Sequence, residues 1–124
     1  MLTLPAILNV RPATPDISII DIQGEVNSSA EQNLVDAYAR AQRPGVRAVL
    51  LNFDKMLYMN SSGIGLLITL LIKANRQGQR LAAAGLSSHY QRIFDLTRLR
   101  EAIPYYATES EALEALIEQI QTVL

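Results

Sequence analysis

Short apolar runs of strand character alternate with segments of helical period along this chain, and that alternation confines it to a sheet with helices packed on its faces. Residues 17–22 (ISIIDI) are rich in β-branched side chains and read as a first strand, which Gln23-Gly24 breaks. Ser28 and Glu31 have the spacing of a capping box. Ala30, Leu34, Ala37, Tyr38 and Ala41 then recur on one helical face until Pro44-Gly45 stops the helix. Residues 46–53 (VRAVLLNF) form a second apolar strand, and a long helix is predicted over 63–77 with Gly78 as its C-terminal stop. Residues 80–84 read as a third strand, 87–96 as a helix carrying Tyr90, Ile93 and Phe94, and 103–106 as an edge strand. A second capping box, Thr108 with Glu111, opens a last helix that turns Leu113, Leu116, Ile117, Ile120 and Leu124 inward. The proline-punctuated residues 1–12 receive no element. The expected fold class is α/β, a mixed sheet of about four to five strands packed with about four helices, its parallel part joined by right-handed crossovers.

The 124 residues suit one domain, 1–124, with no internal repeat or linker. Apolar residues at 49% and charged residues at 19% are ordinary globular usage and exclude wholesale disorder. Eleven basic side chains against twelve acidic ones leave a net charge of −1, which speaks against a nucleic-acid binder. The absence of cysteine removes disulfides, thiolate metal sites and a Cys nucleophile, and it suits a reducing compartment. The single histidine, His89, excludes multi-histidine zinc sites and falls at a helix start, where a surface or capping role is expected. The start of the chain lacks the basic opening of a secretory signal, and the most apolar stretch, 64–72, falls short of the ~20 residues that span a bilayer. The expectation is a soluble cytoplasmic domain without membrane insertion, cofactor, metal or catalytic residues.

Residues 52–72 (NFDKMLYMNSSGIGLLITLLI) carry the most information. A buried strand runs into a loop, and two hydroxyls, Ser61 and Ser62, stand immediately before a helix. Asn60 or Ser61 suits the N-cap, its side-chain oxygen accepting from a first-turn amide. Gly63 and Gly65 occupy that first turn, where each costs about 1 kcal/mol of helix propensity against alanine. Such a cost points to close approach of backbone or partner, or to a tight turn into the helix. On a helical projection Ile64, Leu67, Ile68, Leu71 and Ile72 share one arc, which Leu66 and Leu70 widen to roughly 240°. The expectation is that Leu66 and Leu70 are buried against neighbouring helices, the competing reading being an apolar patch for a partner beside the serines. As nucleophiles, Ser61 and Ser62 would need an activating neighbour, and Asp21, Asp54 and Asp95 are scattered along the chain. The run Ser-Ser-Gly-Ile-Gly also lacks the lysine and glycine spacing of a P-loop.

Several segments resemble the STAS domain of bacterial anti-sigma factor antagonists, among them the strand 46–53 and the ending 109–113 (ESEAL), similar to that family's S-E-x-E-A-L. Gly24-Glu25-Val26-Asn27 is similar to that family's G-E-[LV]-D loop. Met59-Asn60-Ser61-Ser62-Gly63-Ile64-Gly65 is similar to its [MVI]-D-S-[ST]-G-[LI]-G switch motif, and residues 92–99 (RIFDLTRL) to its R-I-F-x-L-T-G-L segment. The resemblance implies a STAS-like domain that works by partner switching. An anti-sigma factor that is also a serine kinase would bind the unmodified protein and phosphorylate it, and a serine phosphatase would regenerate it. Carried over by position, Ser61 is the phosphoacceptor with Ser62 beside it. Gly24, Glu25, Asn27, Asn60, Ser62, Gly63, Ile64, Gly65 and Leu66 would form the docking surface. A homodimer is compatible with this role. Asn60 and Asn27 stand where the family usually has aspartate, and Arg98 where it has glycine. The alternative is a non-switching STAS subunit of a lipid-transport ATPase or a sensory scaffold.

Overall fold

A computed structural model describes residues 4–121. Five strands, β1 (Ile7–Thr14), β2 (Ile17–Val26), β3 (Ala48–Met59), β4 (Arg80–Ala84) and β5 (Tyr105–Tyr106), form one sheet in that order. β1 runs antiparallel to β2 and every other neighbour pair is parallel. Helices α1 (Glu31–Arg40), α2 (Ser61–Arg76) and α3 (Ser88–Leu96) connect the parallel strands, and α4 (Glu109–Gln121) follows β5. Residues 48–51 of β3 and 81–84 of β4 are apolar without alternation because both sheet faces are covered there. Ile20, Ile22, Val49, Leu51 and Ala83 join the larger core, with Leu34 of α1, Leu67 and Leu70 of α2 and Phe94 of α3. Ile17, Ile19, Ala48, Leu50 and Ala82 meet Ala112, Leu116 and Ile120 of α4 on the other side.

Several elements depart from the sequence reading. Residues 7–14, given no element, are an edge strand, where Pro12 is tolerated because no further strand needs its missing N–H. β2 does not stop at Gly24. It continues to Val26 with an irregularity after Gly24, whose φ of +82° and contact with Pro5 (an added Cβ would lie 2.5 Å from the Pro5 carbonyl oxygen) require glycine. β3 likewise runs on to Met59. The Ser28 capping box does not form. Asn27 instead caps a 3-10 turn, Ser28–Ala30, its Oδ1 accepting from the Ser29 amide at 2.9 Å. At α4 the Thr108 hydroxyl does accept from the Glu111 amide, at 3.1 Å. Ile117 is exposed rather than inward, and Leu124 lies outside the described residues. Arg98 adopts φ +63°, so the turn keeps the conformation that glycine favours, with Arg98 paired to Glu101 at 2.9 Å.

α4 is tied to the sheet at its first residue. Arg11 on β1 donates to Asp21 and to Glu109, and Asn52 Nδ2 donates to Glu109 at 2.9 Å. The Arg11 hydrogen bond, more than the Asn52 one, holds the Glu109 carboxyl below its ordinary 4.5. A carboxylate lowered in the folded state stabilises the protein above its unfolded value, and that contribution is lost as pH falls through the folded one. Glu109→Gln is therefore expected to cost about 0.5 kcal/mol near pH 7 and progressively less below about pH 4.5, read as urea midpoints across pH.

Candidate functional site at the ends of two parallel strands

β2 and β3 end side by side, with Glu25 opposite Tyr58 and Val26 opposite Met59. The Asn60 amide donates to the Val26 carbonyl at 3.2 Å, so the loops carrying Asn27 and Asn60 are neighbours. Asn60 is extended, and its Oδ1 accepts from the Gly63 amide at 3.0 Å, which makes it the N-cap of α2. α2 starts at Ser61, two residues ahead of the position read from the sequence. The Asn60 carbonyl takes the Ile64 amide at 3.1 Å. Among the described residues the Ser61 and Ser62 amides have no acceptor, and both side chains are exposed. The first turn of α2 holds no acidic residue, so its positive dipole end faces solvent uncompensated.

Gly63 fixes how α2 sits. A Cβ there would lie 2.5 Å from the Val26 carbonyl oxygen and 2.6 Å from Met59 Cγ. Gly65 has nothing within 4 Å, so the close approach expected of both glycines is made within the fold by Gly63 alone. With Gly63 against β2, the buried face of α2 comprises Gly63, Leu66, Leu67, Leu70 and Ala74. Leu66 and Leu70 are thus buried as expected, and Leu66 leaves the docking surface assigned to it. Ile68 and Ile72, placed on the inward arc by projection, are instead 44% and 48% exposed.

Of the candidate residues, Ser61, Ser62 and Gly65 are exposed, and Glu25, Asn27, Asn60 and Ile64 are half-buried in one continuous region. Gly24 and Gly63 are buried and shape the backbone beneath it. Sequence reasoning missed Leu57 and Tyr58, exposed by 61% and 54% where β3 extends past the end of β4. Their signal was an apolar pair next to the serines inside a segment read as loop. It also missed Tyr90 of α3, whose buried hydroxyl accepts from the Met59 amide at 2.8 Å. That amide lies beyond the reach of β4, so a side chain satisfies it. Tyr90→Phe leaves a buried donor unpaired at the base of the serine loop and should cost about 1–3 kcal/mol, measured by urea unfolding.

No described base hydrogen-bonds either serine. His89 is exposed and sits edge-on to Tyr90, with 4.9 Å between ring centroids. Asp21 and Asp54 share a cavity of about 310 Å³ with Asn52 and Lys55, whereas Asp95 accepts from the Tyr105 hydroxyl at 2.9 Å. That bond is the main reason the Tyr105 hydroxyl is held above its ordinary range. Among the described residues no cluster of three His, Cys, Asp or Glu could hold a metal, and no helix is long and apolar enough to cross a membrane.

The family model described as STAS domain matches residues 10–112. An anti-sigma-B factor antagonist of Staphylococcus aureus (strain NCTC 8325 / PS 47) is 26% identical over 95 residues, covering 76% of this chain and 88% of its own. The unphosphorylated anti-sigma factor antagonist SpoIIAA superposes with a TM-score of 0.68 at 20% identity, over 94% of this chain and all of its own. A sulfate transporter family protein from Wolinella succinogenes superposes with a TM-score of 0.76 at 14% identity, over 90% of this chain and 93% of its own.

Proposed function

Because the chain belongs to the STAS domain family, we propose that it is an anti-sigma factor antagonist that switches partners on phosphorylation of Ser61. The observation that carries this reading is an exposed serine hydroxyl at the first position of α2, beside two unpaired amides and an exposed apolar surface. In the unmodified state an anti-sigma factor that is also a serine kinase docks here. Tyr58, Ile68 and Ile72 give it apolar area, and the bare Gly65 lets it approach the helix backbone. Glu25, Asn27, Asn60 and Ile64 supply the half-buried floor.

The kinase transfers the terminal phosphoryl group of ATP to the Ser61 oxygen: the P–O bond to ADP breaks, ADP leaves, and the hydroxyl proton passes to a base of the kinase. The product carries about −1.5 to −2 charge and three acceptor oxygens, next to the free Ser61 and Ser62 amides. The same group, set into an apolar docking surface, excludes the partner. A serine phosphatase then restores the hydroxyl. Asn60 and Asn27 keep their capping bonds without a carboxylate, so a partner arginine would find an amide oxygen where the family usually offers a charge. The action is cytoplasmic and stoichiometric, by binding rather than catalysis.

The test is incubation of the purified protein with candidate kinases and ATP, followed by intact mass and site mapping. One phosphate on Ser61, and none on Ser61→Ala, which still binds the kinase, supports the reading. Phosphate found only elsewhere, with Ser61→Ala behaving as wild type, overturns it in favour of a non-switching subunit of a larger assembly.

A further inference from the structure

Charge is segregated along this chain. Residues 37–94 hold eight basic side chains and the single acid Asp54, whereas five glutamates and no Lys or Arg follow Arg100. The fold places α1 and α2 on one face of the sheet and α4, with Glu111, Glu114 and Glu118, on the other. Lys73 and Arg76, in the last turn of α2, border a groove of about 400 Å³ between α1 and α2, with Val35, Ala39 and Gln42 along its α1 side. Neither cation forms an ion pair among the described residues. Across the sheet, α4 points Glu111, Glu114 and Glu118 outward together with Ile117, which is 37% exposed. A helix dipole explains one cation in a last turn, but not two unpaired cations at a groove whose nearest α1 acid, Asp36, is bonded to Gln32, matched by a base-free helix on the far side.

We propose that α4 of one copy docks into the α1–α2 groove of a second copy. Ile117 seats between Val35 and Ala39, while Glu114 and Glu118 meet Lys73 and Arg76. The i,i+4 glutamates and the i,i+3 cations each span about 5–6 Å along their helices, so both pairs form together. The groove and α4 lie on opposite faces of the sheet, so a two-fold pair could not seat both helices in both grooves at once. The association is therefore head-to-tail, and it extends to a ring or a chain of copies. It uses neither Ser61 nor its apolar surround, so it stands apart from the switching reading.

The test is sedimentation of the full chain against protein concentration, at about 20 mM and about 500 mM salt, where screening differs severalfold. Mass should rise with concentration at low salt, beyond that of a dimer, and return to 13.7 kDa at high salt. The pair Lys73→Glu with Arg76→Glu should be monomeric, as should the pair Glu114→Lys with Glu118→Lys. An equimolar mixture of the two should associate again, because each then offers what the other lacks. If either pair fails to fold by circular dichroism, neutral Gln versions replace it and should also weaken association. A monomer under every condition overturns the proposal, as does association that neither pair affects. So does a monomer whose groove binds poly-glutamate, which would assign the groove to a foreign acidic protein.

Discussion

Gly63→Ala should lower the melting temperature by about 10 °C, while Gly65→Ala, two residues along the same helix, raises it by a few degrees. The two glycines cost the same in helix propensity, so only their surroundings separate them. At Gly63 the new methyl meets the Val26 carbonyl oxygen at 2.5 Å, an oxygen already bonded to the Asn60 amide. Backbone cannot yield as a flexible side chain does, so α2 must lift from β2 and β3. Overpacking of that kind costs about 3 kcal/mol, well beyond the ~1 kcal/mol that alanine returns in propensity. At Gly65 the methyl meets nothing, and the propensity gain stands alone. Thermal melts of both variants decide the matter. Equal shifts of one sign would show that Gly63 does not seat the helix. Because Gly65 serves no packing need, Gly65→Ala is also expected to weaken partner binding despite the added stability.

That contrast marks what was and was not legible in the amino-acid order. Strands with both faces covered show dense apolar or β-branched stretches with few polar interruptions, which is why 17–22, 46–53 and 80–84 were readable. β1 was not, because an edge strand facing solvent alternates Leu8 and Val10 with exposed Ile7, Asn9 and Arg11 and tolerates Pro12. Gly24 looked like a strand breaker because glycine usually is one. In the fold it is a kink that lets Pro5 lie against a continuing strand. The rotation of α2 was the larger loss. An apolar arc of roughly 240° has no sharp centre, so hydrophobicity alone cannot say which quarter faces out. The contact of Gly63 with Val26, far apart in sequence, sets that angle and turns Ile68 and Ile72 to solvent. The serines and their cap were readable because capping is local chemistry: Asn60 bonds an amide three residues ahead. Tyr90 was not, since its role depends on where β4 stops, a fact of topology.

Ser61→Asp is expected to leave the fold intact and reduce affinity for the kinase partner by about 10- to 100-fold, with the phosphorylated protein weaker still. The two halves of that result rest on opposite effects of one charge. Within the domain, a negative group at the first position of α2 meets the unpaired Ser61 and Ser62 amides and the positive end of the helix. At an exposed terminus this stabilises by about 0.3–1 kcal/mol, so the melting temperature should hold or rise slightly. Against a partner, the carboxylate heads the helix face that carries Ile68 and Ile72 two and three turns on, an exposed apolar area that has value only when water is excluded. Burying a charge there without an opposing cation costs several kcal/mol, and each 1.4 kcal/mol is tenfold in affinity. The binding term exceeds the folding term, so the domain stays folded and the complex is lost. Calorimetric titration of Ser61→Asp, Ser61→Ala and wild type against the kinase, alongside thermal melts, separates the two. Unchanged affinity for Ser61→Asp would mean that the partner does not cover the start of α2. A collapsed melting temperature would mean that the charge acts on the fold instead of the interface. The alanine variant guards against both confusions, since it removes the hydroxyl without adding charge and should bind as wild type does.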